Sequence, residues 1–149
     1  VSGAVRVQPV DADVVRPLRQ AVLRPHEGLA DQVYPGDDVP GALHVAAHDA
    51  AGALVGVASI SPEPHPDTPR EGDWRIRGMA TDPAARGIGA GALLLAAVLE
   101  HARAQGGRRA WCNARTPARG FYERAGLEAE GEEFTLPDIG PHVRMAREL

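Results

Sequence analysis

A glycine-rich turn between an apolar strand and a helix constrains this chain more than any other feature. The stretch Arg77-Gly-Met-Ala-Thr-Asp-Pro-Ala-Ala-Arg86-Gly-Ile-Gly89-Ala-Gly91 leaves a strand, passes through the turn and enters a helix starting at about Gly89. Three glycines, Gly87, Gly89 and Gly91, leave the main chain bare where that helix begins. The first N–H groups of a helix have no internal partner and carry the positive end of its dipole. Bare main chain there lets a phosphate accept several of them at once. Arg86 adds a planar, charged donor at the edge. The local reading is a pyrophosphate site built mostly from backbone, set against the alternative of a glycine-rich turn that holds no ligand.

Three nucleotide-type patterns end in such a site. A P-loop requires Lys followed by Ser or Thr, and the chain contains no lysine. The dinucleotide fingerprint requires Gly-x-Gly-x-x-Gly, but position 92 is Ala. The third, Arg/Gln-x-x-Gly-x-Gly/Ala after a strand, is met residue for residue by Arg86-Gly-Ile-Gly89-Ala-Gly91. In this the segment resembles the coenzyme A motif of the GNAT superfamily of N-acetyltransferases. The likeness continues downstream, where Arg109-Ala-Trp-Cys-Asn113 reads as a strand, Pro117 to Ala125 as a helix carrying Phe121-Tyr122, and Gly126-Leu127 as the opening of the next strand. It covers about Trp74 to Leu127. One departure is that Arg115 stands seven residues before the tyrosine, where the family often has Asn, with Asn113 two residues earlier.

The rest of the chain supplies a compatible order. Val5, Val7 and Pro9 alternate with Arg6 and Gln8 as in a short strand. Asp11 or Asp13 is placed to cap a helix with apolar residues from Val14 to Leu23, ended by Pro25. His26 to Pro40 reads as irregular. Ala42 to Ala47 and Leu54 to Ile60 read as a hairpin, and the proline-rich Ser61 to Asp73 as an exposed loop. Trp74 to Thr81 is the next strand. Gly89 to Gln105 is the motif helix, with Leu93, Leu94, Leu95, Ala97 and Val98 to pack on a sheet, and Gly106-Gly107 to end it. Glu128 to Thr135 and His142 to Glu148 are the last strands. The order β-α-β-β-β-α-β-α-β-β implies an α+β (α/β layered) domain. The resemblance implies more: a GNAT-like mixed, mostly antiparallel sheet flanked by helices, opened in a V between two central parallel strands, with residues 1–149 as one acyl-coenzyme A-dependent N-acetyltransferase domain.

The resemblance also implies the chemistry. Acetyl-CoA would be the cosubstrate, bound by Met79, Ala80 and Thr81 on the strand, by Arg86, Gly87, Ile88, Gly89, Ala90 and Gly91 at the turn, and by Asn113 and Arg115 on the following strand. Backbone near Met79 would face the thioester carbonyl, where donors stabilise developing negative charge. Tyr122 would protonate the leaving thiolate; without the motif, a lone helical Tyr is a packing residue. The strand before the motif offers Arg75 and Arg77 where relatives often carry a Glu, so the general base is sought elsewhere. His142, in Gly140-Pro141-His142-Val143, is the candidate, because imidazole titrates near neutrality, with water as the rival. The acceptor would be a small-molecule or peptide amine attacking the thioester directly. The alternative is a non-catalytic acyl-CoA-binding or sensing domain of the same fold. A homodimer is compatible with either.

Composition bounds the remaining classes. A net charge of −4 and a pI near 5.8 argue against a nucleic-acid partner. All sixteen basic residues are Arg, which removes Schiff-base chemistry on lysine. Cys112, the sole cysteine, allows no internal disulfide and reads as a buried, inert thiol. No metal is expected: His44 and His48 are four apart in a strand, and His26, His65 and His101 are isolated. No apolar run approaches the roughly 20 residues that span a bilayer. Val5 to Val10 alternates rather than forming an export signal, so the expected setting is cytoplasmic. The start at Val1 points to a missing initiator or a trimmed terminus. Asp37, Asp38, Glu132 and Glu133 could favour a cationic acceptor, but loop carboxylates are usually just solvated.

Overall fold

The computed structural model describes residues 4–149; Val1 lies outside them. Seven strands form one sheet in the order β1-β2-β3-β4-β5-β7-β6. They are β1 Arg6–Val10, β2 Leu43–His48, β3 Leu54–Pro62, β4 Asp73–Thr81, β5 Arg109–Arg115, β6 Glu128–Leu136 and β7 Gly140–Glu148. Every pairing is antiparallel except β4 with β5. Three helices, α1 Ala12–Leu18, α2 Ala90–Ala104 and α3 Arg119–Arg124, flank the sheet. This is the mixed, mostly antiparallel layered architecture expected from the sequence.

Period-2 alternation sends the strand side chains to two faces. On one face Val45, Ile60, Trp74, Ile76, Cys112, Val143 and Met145 bury against Leu94, Leu95 and Val98 of α2 and Tyr122 of α3. On the other, Val15 and Leu18 of α1 pack on Ala46, Val57 and Ala80. Leu93, placed by the sequence reading among the sheet-packing residues, points outward and is 48% exposed.

α1 departs from the expected continuous helix. Pro17 lies inside it and cannot donate to a carbonyl one turn back. The chain then winds on as a π-type turn, Arg19–Leu23. Asp11 takes the N-cap position, but its side chain makes no capping bond. The stretch read as irregular includes a 3₁₀ turn, Leu29–Gln32.

Two loop expectations are corrected. Ser61 to Asp73 is not wholly exposed, because β3 runs to Pro62 and both His65 and Asp73 are buried. Asp73 accepts Nε and Nη2 of Arg109 at 2.8 and 3.0 Å and the N–H groups of His65 and Arg70. Burial alone would raise its pKa, but these donors outweigh it and hold the carboxyl at about 2. Asp37, read as a solvated loop carboxylate, is also buried, where it grips Arg19 through two bonds of 2.7 and 2.9 Å. A fully buried guanidinium requires such a partner.

Candidate active site

β4 and β5 run parallel, but their register covers only Asp73–Arg109, Trp74–Ala110 and Arg75–Trp111. Beyond Arg75 the two strands diverge. On its other edge β4 carries a bulge: Arg77 faces Ser59 and Ala80 faces Val57, so Gly78 and Met79 together oppose Ala58. Gly78 takes φ +61°, and a Cβ there would lie 2.8 Å from Arg19 Nε. Both the left-handed backbone and the close cation therefore require glycine. The bulge turns the main chain of Gly78–Met79 at the head of the gap, on the strand expected to bind along the cosubstrate.

An open cleft of about 1010 Å³ occupies the divergence. Its walls include Met79, Ala80 and Thr81 of β4, the turn residues Arg86, Gly87, Gly89, Ala90 and Gly91, and Cys112, Asn113 and Arg115 of β5. Tyr122 and His142 line the same cleft. Of the residues assigned from the sequence to catalysis or to the cosubstrate, Ile88 alone is not on the wall; its side chain packs toward the core.

At the turn, Gly87 and Gly89 have φ of +93° and +84°, and nothing lies within 4 Å of where their Cβ atoms would be. Gly89 is the N-cap of α2, whose first helical bond runs from Leu93 N–H to Gly89 carbonyl at 3.2 Å. The N–H groups of Ala90, Gly91 and Ala92 thus have no helical acceptor. Gly91 is bare for another reason, since a Cβ there would sit 3.1 Å from the Phe121 ring. Arg86 is exposed and, among the described residues, forms no ion pair.

Tyr122 reaches the cleft from α3 with 7% exposure, its ring edge-on to Phe121 at 5.1 Å. Burial and then Cys112 push its phenol well above the ordinary value, while Arg115 opposes them. The hydroxyl is therefore held protonated, as a proton donor must be. Burial likewise pushes the Cys112 thiol up to about 12, which keeps it inert, as read from the sequence.

His142 pairs with Arg115 across β5 and β7 and is 4% exposed. Its Nδ1 lies 2.8 Å from the Gly140 carbonyl, which can only accept, so Nδ1 carries a proton. In the neutral ring this leaves Nε2 as a bare acceptor. Phe134 stacks on the imidazole at 5.9 Å.

On the face opposite α2, Asn113 accepts Arg144 Nε at 3.1 Å, and Arg115 donates to the Leu23 carbonyl at the end of the π turn. Arg75 and Arg77 share the carboxylate of Glu63 at 2.8 and 2.6 Å. Glu132 and Glu133 lie in a β6 bulge, exposed and off the cleft wall. Sequence reasoning missed the buried support behind the bulge. Arg19 binds Asp37, the Gln32 carbonyl and Ser59 Oγ, and stacks at 4.0 Å on Tyr34. It ties the segment after α1 to Gly78. Among the described residues no group of three or more His, Cys, Asp or Glu is placed to hold a metal, and no helix is long and apolar enough to cross a membrane.

Comparison with known proteins agrees with this geometry. The family model described as the acetyltransferase (GNAT) family matches residues 15–127. The uncharacterized N-acetyltransferase YitI of Bacillus subtilis is 34% identical over 147 residues, covering 97% of each chain. Among solved structures, Escherichia coli ElaA superposes with a TM-score of 0.78 at 20% identity, covering 97% of this chain and 100% of that one. An aminoglycoside 6'-N-acetyltransferase complexed with coenzyme A gives 0.74 at 17% identity and 96% coverage of both chains.

Proposed function

Because the chain belongs to the acetyltransferase (GNAT) family and is an acyltransferase, we propose that it moves an acetyl group from acetyl-CoA to an amine by direct attack, acting as one domain. The observation that carries this reading is the broken β4–β5 pairing. It opens beside a bare helix start, a bulged strand, a protonated phenol and an imidazole acceptor, all on one cleft.

Each part has a role that its chemistry supports. The N–H groups of residues 87–92, with Arg86, hold the pyrophosphate. The unpaired edge of β4 from Met79 to Thr81 hydrogen-bonds the amide-bearing arm as an added strand would. Met79 N–H, aimed by the bulge, stabilises the oxyanion formed when the amine attacks the thioester carbon. As the C–S bond breaks, Tyr122 gives its proton to the departing thiolate and regains one from solvent. Nε2 of His142 takes the proton lost by the amine. The products are an N-acetylated amine and free coenzyme A, so no redox partner is needed. Asn113 and Arg115 line the β5 side, where Arg144 engages the former and Leu23 the latter. A cytoplasmic setting is part of this reading, in keeping with a sole cysteine, Cys112, that is a free thiol.

The test is incubation with acetyl-CoA and an amine panel, with mass detection of the product and of free coenzyme A. The expected result is a mass gain of one acetyl group on the amine, equal in amount to the coenzyme A released. Coenzyme A release without any acetylated amine, at every amine tried, would contradict direct transfer.

A further inference from the structure

The charge of the cleft wall is uneven. Among the described residues, six arginines line it, Arg24, Arg75, Arg77, Arg86, Arg115 and Arg124, and no Asp or Glu does. Arg86 and Arg124 belong to the turn and to α3. The other four stand just after the π turn and on the sheet face opposite α2, on the acceptor side. Their carboxylate partners are few. Arg75 and Arg77 share Glu63, and Arg24 meets Glu27 at 3.3 Å. Arg115 meets only the Leu23 carbonyl. Four guanidinium groups thus face two carboxylates.

Arg115 reaches the backbone beside Arg24, and both side chains line the same cleft. Burial and then the charge of Arg24 both disfavour the Arg115 cation. Two like charges brought near each other and partly withdrawn from water are unfavourable until an anion joins them. Guanidinium donors are shaped for the paired oxygens of a carboxylate or phosphate. Tyr34, Pro35, Leu136 and Ile139 line the cleft nearby and leave room for a small apolar body.

We propose that the acceptor is an amine bearing an anionic group, and that Arg24 and Arg115 seat this group on the acceptor side of the cleft. This rests on the acetyl-transfer reading above. It reverses the cationic preference that Asp37, Asp38, Glu132 and Glu133 could have supported, because Asp37 is consumed by Arg19 and the other three stand off the wall. It also assigns Arg115 to the acceptor rather than to the cosubstrate.

The experiment first titrates acetyl-CoA by calorimetry, then compares matched acceptors. Glycine, β-alanine and leucine are set against their amides, phosphoethanolamine against ethanolamine, and spermidine stands as a polycation. The expected result is a kcat/KM about 100-fold higher for the charged member of at least one matched pair, carried by KM. The amino-acid and phosphate arms tell the two anions apart. Arg24→Gln and Arg115→Gln should each collapse that ratio by about tenfold or more. Arg24→Lys and Arg115→Lys, which keep the charge and lose the fork, should give intermediate ratios and cover the case in which a Gln variant does not fold. Binding of the N-acetylated acid against its amide to the coenzyme A-loaded protein reads the same ratio without turnover. Failure to bind acetyl-CoA would overturn the transfer reading and this inference with it. Binding of acetyl-CoA, with amides, spermidine or the neutral product taken as well as their charged counterparts, would overturn this inference alone.

Discussion

β4 and β5 behave as two different structures along one pair of strands. At the Asp73–Arg75 end they are zipped in parallel register and locked by Arg109, which binds both oxygens of Asp73 and reaches Thr68. At the Ile76–Thr81 end they diverge, and Gly78 bulges the strand away from regular pairing. In the closed half the buried pair Asp73 and Arg109 find their partners inside the protein, and Arg75 Nε is the buried group there without one. In the open half the backbone groups face the cleft. The lesson is that the satisfied half makes the unsatisfied half tolerable, holding the strands in place where they do not bond each other.

The largest expected effect comes from breaking the closed half. Arg109→Met leaves the Asp73 carboxylate buried with its strongest partner removed, and should cost on the order of 3–5 kcal/mol in a urea titration. A midpoint equal to the parent's would mean that the lock contributes nothing. Next comes the chemistry of the open half. Tyr122→Phe keeps the ring and removes the hydroxyl, so turnover should fall by roughly 100-fold with acetyl-CoA affinity retained. Unchanged turnover would reassign Tyr122 to packing.

Acid should also separate the halves. The Asp73 carboxyl sits at about 2 in the fold against 3.8 for the free group. A depressed carboxylate stabilises the protein above its unfolded value, and that stability is lost as pH falls through the folded value. Roughly 2 kcal/mol should therefore disappear between about pH 4 and pH 2. In Asp73→Asn this part of the pH dependence should be absent; an unaltered curve would place the acid sensitivity elsewhere. The smallest effect is expected for His142→Gln, about tenfold in turnover, because water in the open cleft can substitute as base. Unchanged turnover with a lower melting temperature would make His142 a structural residue at the entry to β7.

The sequence made the open half more legible than its supports. The turn Arg86–Gly91 and the Phe121-Tyr122 pair are local patterns, so the helices that carry them could be read from neighbouring residues. The order of elements along the chain was legible because periodicity and turn residues are local too. The Arg19–Asp37 pair was not, since it joins residues 18 apart through side chains that are solvated in most proteins. Nor were the Pro17 helix and its π turn, where tertiary packing overrides a breaker. The cationic wall was half legible: Arg75 and Arg77 share one face by the period of two, but Arg24 joins them only through the fold.

The central claim is that the bare start of α2 holds the pyrophosphate of acetyl-CoA. Gly89 and Gly106 stand at opposite ends of that helix with nearly the same backbone, φ +84° and +86°, and with open space beyond each. Valine at either should strain the chain alike, by about 1–3 kcal/mol. Calorimetric titration with acetyl-CoA then isolates the site. Gly106→Val should bind as the parent does, and Gly89→Val, still folded, should bind at least about tenfold more weakly. Equal affinity in the two variants would contradict the account.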